Sequence, residues 1–109
     1  MRINKPFGPL TPDAVMALPG QLGVFELADE EGRILYIGFA GGKSLFGLRG
    51  ELERALAKWP SAARFRYEVN QQYLSRHREL LMLHVADHGT LPIENRANPP
   101  ARLGRLSPL

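Results

Sequence analysis

The chain contains no cysteine among its 109 residues. Without thiols it can form neither disulfides nor thiolate metal sites, and it has no cysteine nucleophile. It also lacks an apolar run near the roughly 20 residues that a transmembrane helix needs, and its first residues lack the apolar stretch of a signal peptide. These absences predict a cytoplasmic protein without a membrane partner, in which any metal is held by oxygen or imidazole ligands.

The composition is that of one ordinary globular domain. Hydrophobic residues make up 44% of the chain and charged residues 23%, which is neither a disordered nor a membrane composition. The formal net charge is +3, and most of the cations are arginines. A guanidinium can bond two phosphate oxygens at once, so this excess suits phosphate recognition, although merely solvated surface arginines would give the same count.

Periodicity and turn residues predict a short helix followed by the order strand, strand, helix, strand, helix. Thr11 is the expected N-cap of the first helix, with Pro12 at its first position. The predicted strands span residues 23–27, 33–37 and 64–69, and the long helices span residues 45–58 and 72–88. Residues 29–32 carry turn chemistry, which makes the first two strands an antiparallel hairpin.

The helix boundaries have their own signals. Ser44 is the expected N-cap of the first long helix, and Gly89 is the expected terminator of the second. The predicted fold class is therefore α+β, with a small antiparallel or mixed three-stranded sheet flanked by helices. Residues 1–21 form an N-terminal lead-in with the short helix, residues 22–95 form the domain, and residues 96–109 form a C-terminal tail.

Two tripeptides separated by ten residues carry a resemblance to a known family. They are Gly23-Val24-Phe25 and Tyr36-Ile37-Gly38. Together they resemble the paired signature of the GIY-YIG nuclease superfamily, whose two motifs lie on the first two strands of a small sheet. The resemblance extends from about residue 22 to Asn95, and it implies that Gly23, Phe25 and Gly38 are structural motif positions.

The resemblance also implies a site that cleaves phosphodiester bonds with one Mg²⁺ or Mn²⁺ ion. Its catalytic residues would be Tyr36, Arg49, Glu79 and Asn95. Glu79 would bind the metal, Arg49 would stabilise the phosphate, and Tyr36 would orient or deprotonate the attacking water. Asn95 would anchor the tail against the site. The residues that contact nucleic acid would be Lys43, Arg49, Arg76 and Arg78.

Helix geometry places Arg49 and Glu79 beside apolar stripes. Arg49 lies between leucines at helical spacing, and Glu79 is followed by apolar residues three, four and seven positions later. A carboxylate in that setting is costly unless something binds it. Each residue has a structural alternative: Arg49 covers the core edge with its stem, and Glu79 pairs with Arg76 or Arg78.

The chain departs from the family pattern at Phe25, where many members have tyrosine, and at Phe39, where several have lysine. The loop at residues 41–43 is also longer than usual. His84 and His88 lie one helical turn apart but lack a third metal ligand, so they are better explained as residues that favour the helix dipole. The glycine, lysine and serine of residues 41–44 lack the spacing of a phosphate-binding loop.

Three functions follow as hypotheses. The first is a metal-dependent DNA endonuclease in which the Tyr36 hydroxyl, Arg49 and Glu79 face one cleft. The second is a catalytically degenerate nucleic-acid-binding or assembly module with the same fold, and the third is a purely structural protein. Sequence preference would come from the domain's own face, a homodimer or a partner protein.

Overall fold

A computed structural model describes residues 1–97 of the chain. In chain order the elements are β1 Gly8–Pro9, α1 Pro12–Met16, β2 Gly23–Ala28, β3 Ile34–Ala40, α2 Gly47–Lys58, β4 Arg64–Val69, α3 Tyr73–His88 and α4 Ile93–Ala97. Within these residues no helix has both the length and the apolar character needed to cross a bilayer.

The four strands form one antiparallel sheet in the order β1-β4-β2-β3. The α+β class is as predicted, but the predicted count of three strands is wrong. The missing strand is β1, in which Gly8 pairs with Phe65 at the edge of the sheet. Two residues, one of them proline, carry no alternation, so local pattern could not reveal this strand.

Strand β2 is central, and its residues point alternately to two packed layers. Phe25 and Leu27 face the layer that contains α1 and α2, where Leu52 of α2 is fully buried. Val24 faces the other layer, where it meets Leu81 of α3. We call these two sides of the sheet the α2 face and the α3 face.

The N-terminal segment is part of the packed unit. Ile3 is buried on the α3 face, and Leu10, Val15 and Leu18 are buried on the α2 face. The Thr11 hydroxyl accepts a hydrogen bond from the Ala14 amide at 3.1 Å, which confirms the predicted N-cap of α1. The predicted lead-in therefore contributes to both cores.

The predicted boundaries of the long helices had mixed outcomes. Gly89 ends α3 with a φ of 82°, as predicted. Ser44 is not the N-cap of α2, because the helix begins at Gly47 and its cap residue Phe46 makes no side-chain capping bond. The Ser44 hydroxyl instead accepts from the Gly41 amide at 3.0 Å and donates to Glu51 at 2.6 Å. It braces the loop of residues 41–46 against α2.

The hairpin between β2 and β3 is as predicted. Asp29 accepts backbone hydrogen bonds from Glu31 and Arg33, and Gly32 has a positive φ of 87°. The predicted tail needs a correction, since its first two residues, 96 and 97, belong to α4. The rest of that tail, residues 98–109, lies outside the described residues.

Candidate nucleic-acid interface

Tyr36 lies on the α2 face of β3, within an aromatic cluster. Its ring centroid lies 4.4 Å from that of Trp59 and 6.0 Å from that of Phe25. Burial raises the pKa of the Tyr36 hydroxyl above its ordinary value, and the nearby charge of Glu51 raises it further. Burial and the charge of Glu51 thus both favour the protonated hydroxyl, which is also the ordinary state of tyrosine at neutral pH.

Arg49 lies in the first turn of α2 and is half-buried. Its guanidinium carbon lies 5.7 Å from the centroid of the Phe46 ring, within the range of a cation–π contact. The contact is made by the guanidinium, and its partner is an exposed ring rather than the core edge. The charged end of Arg49 therefore borders the exposed loop of residues 41–46.

Glu79 lies on α3 and is exposed. Its carboxylate contacts the amino group of Met1 and accepts a hydrogen bond from Arg76 at 2.9 Å. These two partners, the amino group first, hold the pKa of Glu79 below its ordinary value. Arg76 in turn donates two hydrogen bonds to Glu68, at 2.8 and 3.0 Å. The ion-pair alternative for Glu79 therefore describes its contacts.

The three predicted catalytic side chains do not share one cleft. Tyr36 and Arg49 belong to the α2 face, whereas Glu79 is tied through Arg76 to Glu68 on the α3 face. Strands β3 and β4, which carry Tyr36 and Glu68, are also separated by β2, or about 10 Å of sheet. One phosphate cannot touch all three groups in this arrangement.

No metal cluster accompanies these residues. Within residues 1–97, no three or more histidine, aspartate or glutamate side chains are placed to hold an ion. His84 and His88 lie with ring centroids 4.4 Å apart, but His84 Nδ1 is engaged with the Thr90 carbonyl oxygen at 2.8 Å. A divalent ion at Glu79 would first have to displace Arg76.

Asn95 fastens α4 onto the second motif strand. Its side chain is 3% exposed, and its amide accepts from the Ile37 nitrogen at 2.8 Å and donates to the Ile37 oxygen at 3.0 Å. Strand β3 is an edge strand of the sheet. On its open side, the Asn95 amide makes the two hydrogen bonds that the peptide group of a neighbouring strand would make. The Asn95 side chain therefore joins α4 to the backbone of β3, and these two hydrogen bonds involve no catalytic group.

The motif glycines are explained by close packing. A Cβ atom added to Gly23 would lie 2.1 Å from the Glu68 carbonyl oxygen, where β2 approaches β4. A Cβ atom on Gly38 would lie 2.5 Å from the rings of both Phe25 and Tyr36, which lean over it. The Phe25 ring is 2% exposed, so the hydroxyl of a tyrosine at this position would need a buried partner. These positions support the fold whether or not the chain has catalytic activity.

The four cations predicted to bind nucleic acid differ in their surroundings. The Arg76 guanidinium is buried and holds Glu68 and Glu79, so it cannot serve as a phosphate contact without breaking those pairs. Lys43 and Arg78 are exposed, and Arg49 is half-buried with its charged end beside the loop. Among the three cations other than Arg76, Lys43 and Arg49 lie closest together along the chain, on either side of Phe46.

Three segments of the chain meet at one end of the sheet. Lys43 and Arg49 lie next to this end. Gly23 of β2 pairs with Ala40 of β3 and with Val69 of β4. The loop after β3 is tied to the start of α3 by a 3.1 Å hydrogen bond from the Gly42 amide to the Tyr73 hydroxyl. The Gln21 carbonyl oxygen accepts from the amide of Leu48 in α2 at 2.9 Å. These contacts gather residues 20–22, 41–46 and 69–73 on one surface.

None of those segments contains a carboxylate. Residues 14–25, 32–50 and 69–78 include no aspartate and no glutamate, although acidic residues are spread through the rest of the chain. The carboxylates that border the segments, Glu51 and Glu68, are paired with Arg54 and Arg76. We call this surface, formed by residues 20–22, 41–46 and 69–73, the acid-free end. The long intervals between carboxylates are the sequence signal that could have located it.

The acid-free end also carries apolar and amide side chains. Leu45 is 71% exposed and Phe46 is 64% exposed, and Val69 also lies open to solvent. Gln21, Gln71 and Gln72 add amide groups to the same surface. Cations, an aromatic ring and amides, bordered by carboxylates that are already paired with arginines, form a surface suited to phosphates and bases.

Comparison with curated proteins and with solved structures gives no match. One family model matches residues 1–87, which run from the N-terminal segment nearly to the end of α3. The matched region includes β1 and the acid-free end. The chain belongs to the family described as Domain of unknown function (DUF7508).

Proposed function

We propose that this chain is a non-catalytic nucleic-acid-binding module with a GIY-YIG-like fold, and that it binds through the acid-free end. The observation that carries the proposal is the meeting of three carboxylate-free segments around Lys43, Arg49 and an exposed aromatic ring. The carboxylates that border this surface, Glu51 and Glu68, are paired with Arg54 and Arg76, so the cations attract the phosphate backbone against little repulsion.

The GIY-YIG-like part of the proposal is supported by the placement of the motifs. The two tripeptides lie on adjacent antiparallel strands, where Phe25 pairs with Gly38. Asn95 follows the long helix α3 and bonds to the middle residue of the second tripeptide, Ile37. A likeness in fold does not carry a function with it, so activity must be argued from the site.

Metal-dependent DNA cleavage is the second candidate, because Tyr36, Arg49, Glu79 and Asn95 resemble the family's catalytic set. One observation favours the non-catalytic proposal over it. Glu79 is held in an ion pair with Arg76 on the opposite face of the sheet from Tyr36. The ion pair on the far face of the sheet therefore supports the proposal that these residues do not act together on one phosphate.

Cleavage assays separate the two candidates. The purified protein is incubated with single-stranded, duplex and branched DNA in the presence of Mg²⁺ or Mn²⁺. We expect no turnover above the metal-only background, and an identical result for Glu79→Ala. Cleavage by the wild-type protein that disappears in Glu79→Ala would overturn the non-catalytic proposal.

Binding itself is expected to be weak and steeply dependent on salt. Each phosphate contact releases condensed counterions, so the logarithm of the binding constant should fall linearly with the logarithm of salt concentration. Removing two contacts with Lys43→Ala and Arg49→Ala together should make that slope shallower by about 1.8 on duplex DNA and about 1.4 on single strands. Fluorescence anisotropy of labelled oligonucleotides over a salt series measures both quantities.

A matched control variant tests whether the change in salt slope depends only on the loss of net positive charge. Arg2 and Arg33 are exposed and bonded to Asp87 and Asp29, away from the acid-free end. The double variant Arg2→Ala with Arg33→Ala removes the same two positive charges as the test variant. Equal changes of slope in the two double variants would contradict a binding surface at the acid-free end.

A further inference from the structure

The loop of residues 41–46 presents two large apolar side chains to water. Leu45 is 71% exposed and Phe46 is 64% exposed, and they are consecutive. Isolated exposed apolar residues are ordinary, but an adjacent pair at the tip of a loop is the form that interaction sites take. We call Leu45 and Phe46 the apolar tip.

The backbone of the apolar tip is braced rather than free. Phe46 has a φ of 63°, and within residues 1–97 it is the one non-glycine residue with a positive φ. The Leu45 carbonyl oxygen packs so closely on Gly50 that an added Cβ atom would lie 2.0 Å from it. Ser44 links the Gly41 amide to the Glu51 carboxylate. The packing holds a strained conformation that keeps the Phe46 ring in solvent.

The surroundings of the ring indicate the chemistry of its partner. The Arg49 guanidinium lies over the Phe46 ring at 5.7 Å, and Lys43 lies three residues before it. The rest of the acid-free end supplies amide groups that can bond to base edges. An aromatic ring between cations and amides matches a nucleotide, which joins a phosphate to a flat polar base. A lipid headgroup offers no flat base on which the ring could stack.

We propose that the apolar tip stacks against unpaired bases, so that the preferred ligand is single-stranded nucleic acid. This inference rests on the proposed nucleic-acid-binding function and adds the substrate class. Base faces are buried within a duplex and open in a single strand, so a stacking ring discriminates between them. Arg49 and Lys43 contact the phosphates that flank the stacked base.

Phe46→Gly is the informative variant, since glycine adopts a positive φ without steric cost. It removes the ring but is compatible with the backbone that the loop already has. The melting temperature should therefore be unchanged or higher, while affinity for a single-stranded oligonucleotide should fall roughly 5- to 150-fold, the effect of losing one stacked base. Met82→Ala, which truncates an exposed apolar residue on α3, should change neither quantity.

The experiment compares anisotropy titrations of a labelled oligothymidine and of a labelled duplex of equal length. Binding to vesicles of anionic lipid is measured alongside. Tighter binding to oligothymidine than to duplex, lost in Phe46→Gly and kept in Met82→Ala, is the expected result. Equal binding to both nucleic acids with no effect of Phe46→Gly overturns the stacking inference and leaves the proposed function standing. Binding to neither nucleic acid overturns both, and Phe46-dependent binding to vesicles alone assigns the tip to a lipid surface instead.

Discussion

Replacing Arg66 by alanine is expected to lower the free energy of unfolding by about 3–5 kcal/mol, the usual cost of leaving a buried charge without its partner. Glu26 lies on the central strand and is 4% exposed. Its carboxylate accepts a 2.6 Å hydrogen bond from Arg66. Arg66 also donates to the Lys5 carbonyl oxygen and stacks on Phe7, so its loss also loosens the N-terminal segment. Urea denaturation followed by circular dichroism measures the change.

The paired variant Glu26→Leu with Arg66→Met is the control for this result. It replaces both charges by apolar groups, and such replacements are often neutral or stabilising when the volume is similar. We expect its free energy of unfolding to lie within about 1.5 kcal/mol of the wild type. If Arg66→Ala alone lowered the free energy of unfolding by no more than this, the buried Glu26 carboxylate would not need Arg66 as its partner.

Gly23→Ala is expected to cost about 3 kcal/mol, at the upper end of the range for overpacked sites. The added Cβ atom would lie 2.1 Å from the Glu68 carbonyl oxygen, and backbone atoms on both sides must separate to admit it. In a domain of this size such a loss lowers the melting temperature by on the order of 10–20 °C. Thermal denaturation by calorimetry measures the shift.

Gly8→Ala is the matched control, because a Cβ atom added at Gly8 meets no atom within 4 Å. A substitution at such a surface position should change the free energy of unfolding by less than about 0.5 kcal/mol. A similar loss in both variants would mean that glycine flexibility, rather than the close approach of β2 to β4, sets the requirement at Gly23.

The predicted site residues form two groups. One group supports the fold, and the other would be needed for catalysis of phosphodiester cleavage. Gly23, Gly38 and Asn95 each have a structural reason in the close packing and hydrogen bonding of the sheet. Glu79, by contrast, lies in an ion pair on the other face of the sheet from Tyr36. The residues that support the fold are in place, whereas the residues that catalysis would need lie apart. The non-catalytic proposal requires this arrangement.

Local sequence patterns predicted correctly those features that depend on residues close together in the chain. The hairpin follows from Asp29 and Gly32, which form the turn between β2 and β3. Strand β4 follows from its strict alternation, and the C-terminus of α3 follows from Gly89. The N-cap of α2 was predicted wrongly because Ser44 has a more distant partner, Glu51, that holds it in the preceding loop.

The sequence by itself determined the α+β class and the order of the main strands and helices. These depend on periodicity, turn chemistry and composition, which act over a few residues. Only the tertiary structure decided that Glu79 and Tyr36 lie on opposite faces and that three carboxylate-free segments meet at one end. Which face a side chain occupies depends on the packing of α2 and α3 on the two sides of β2, and those contacts join residues far apart in the chain.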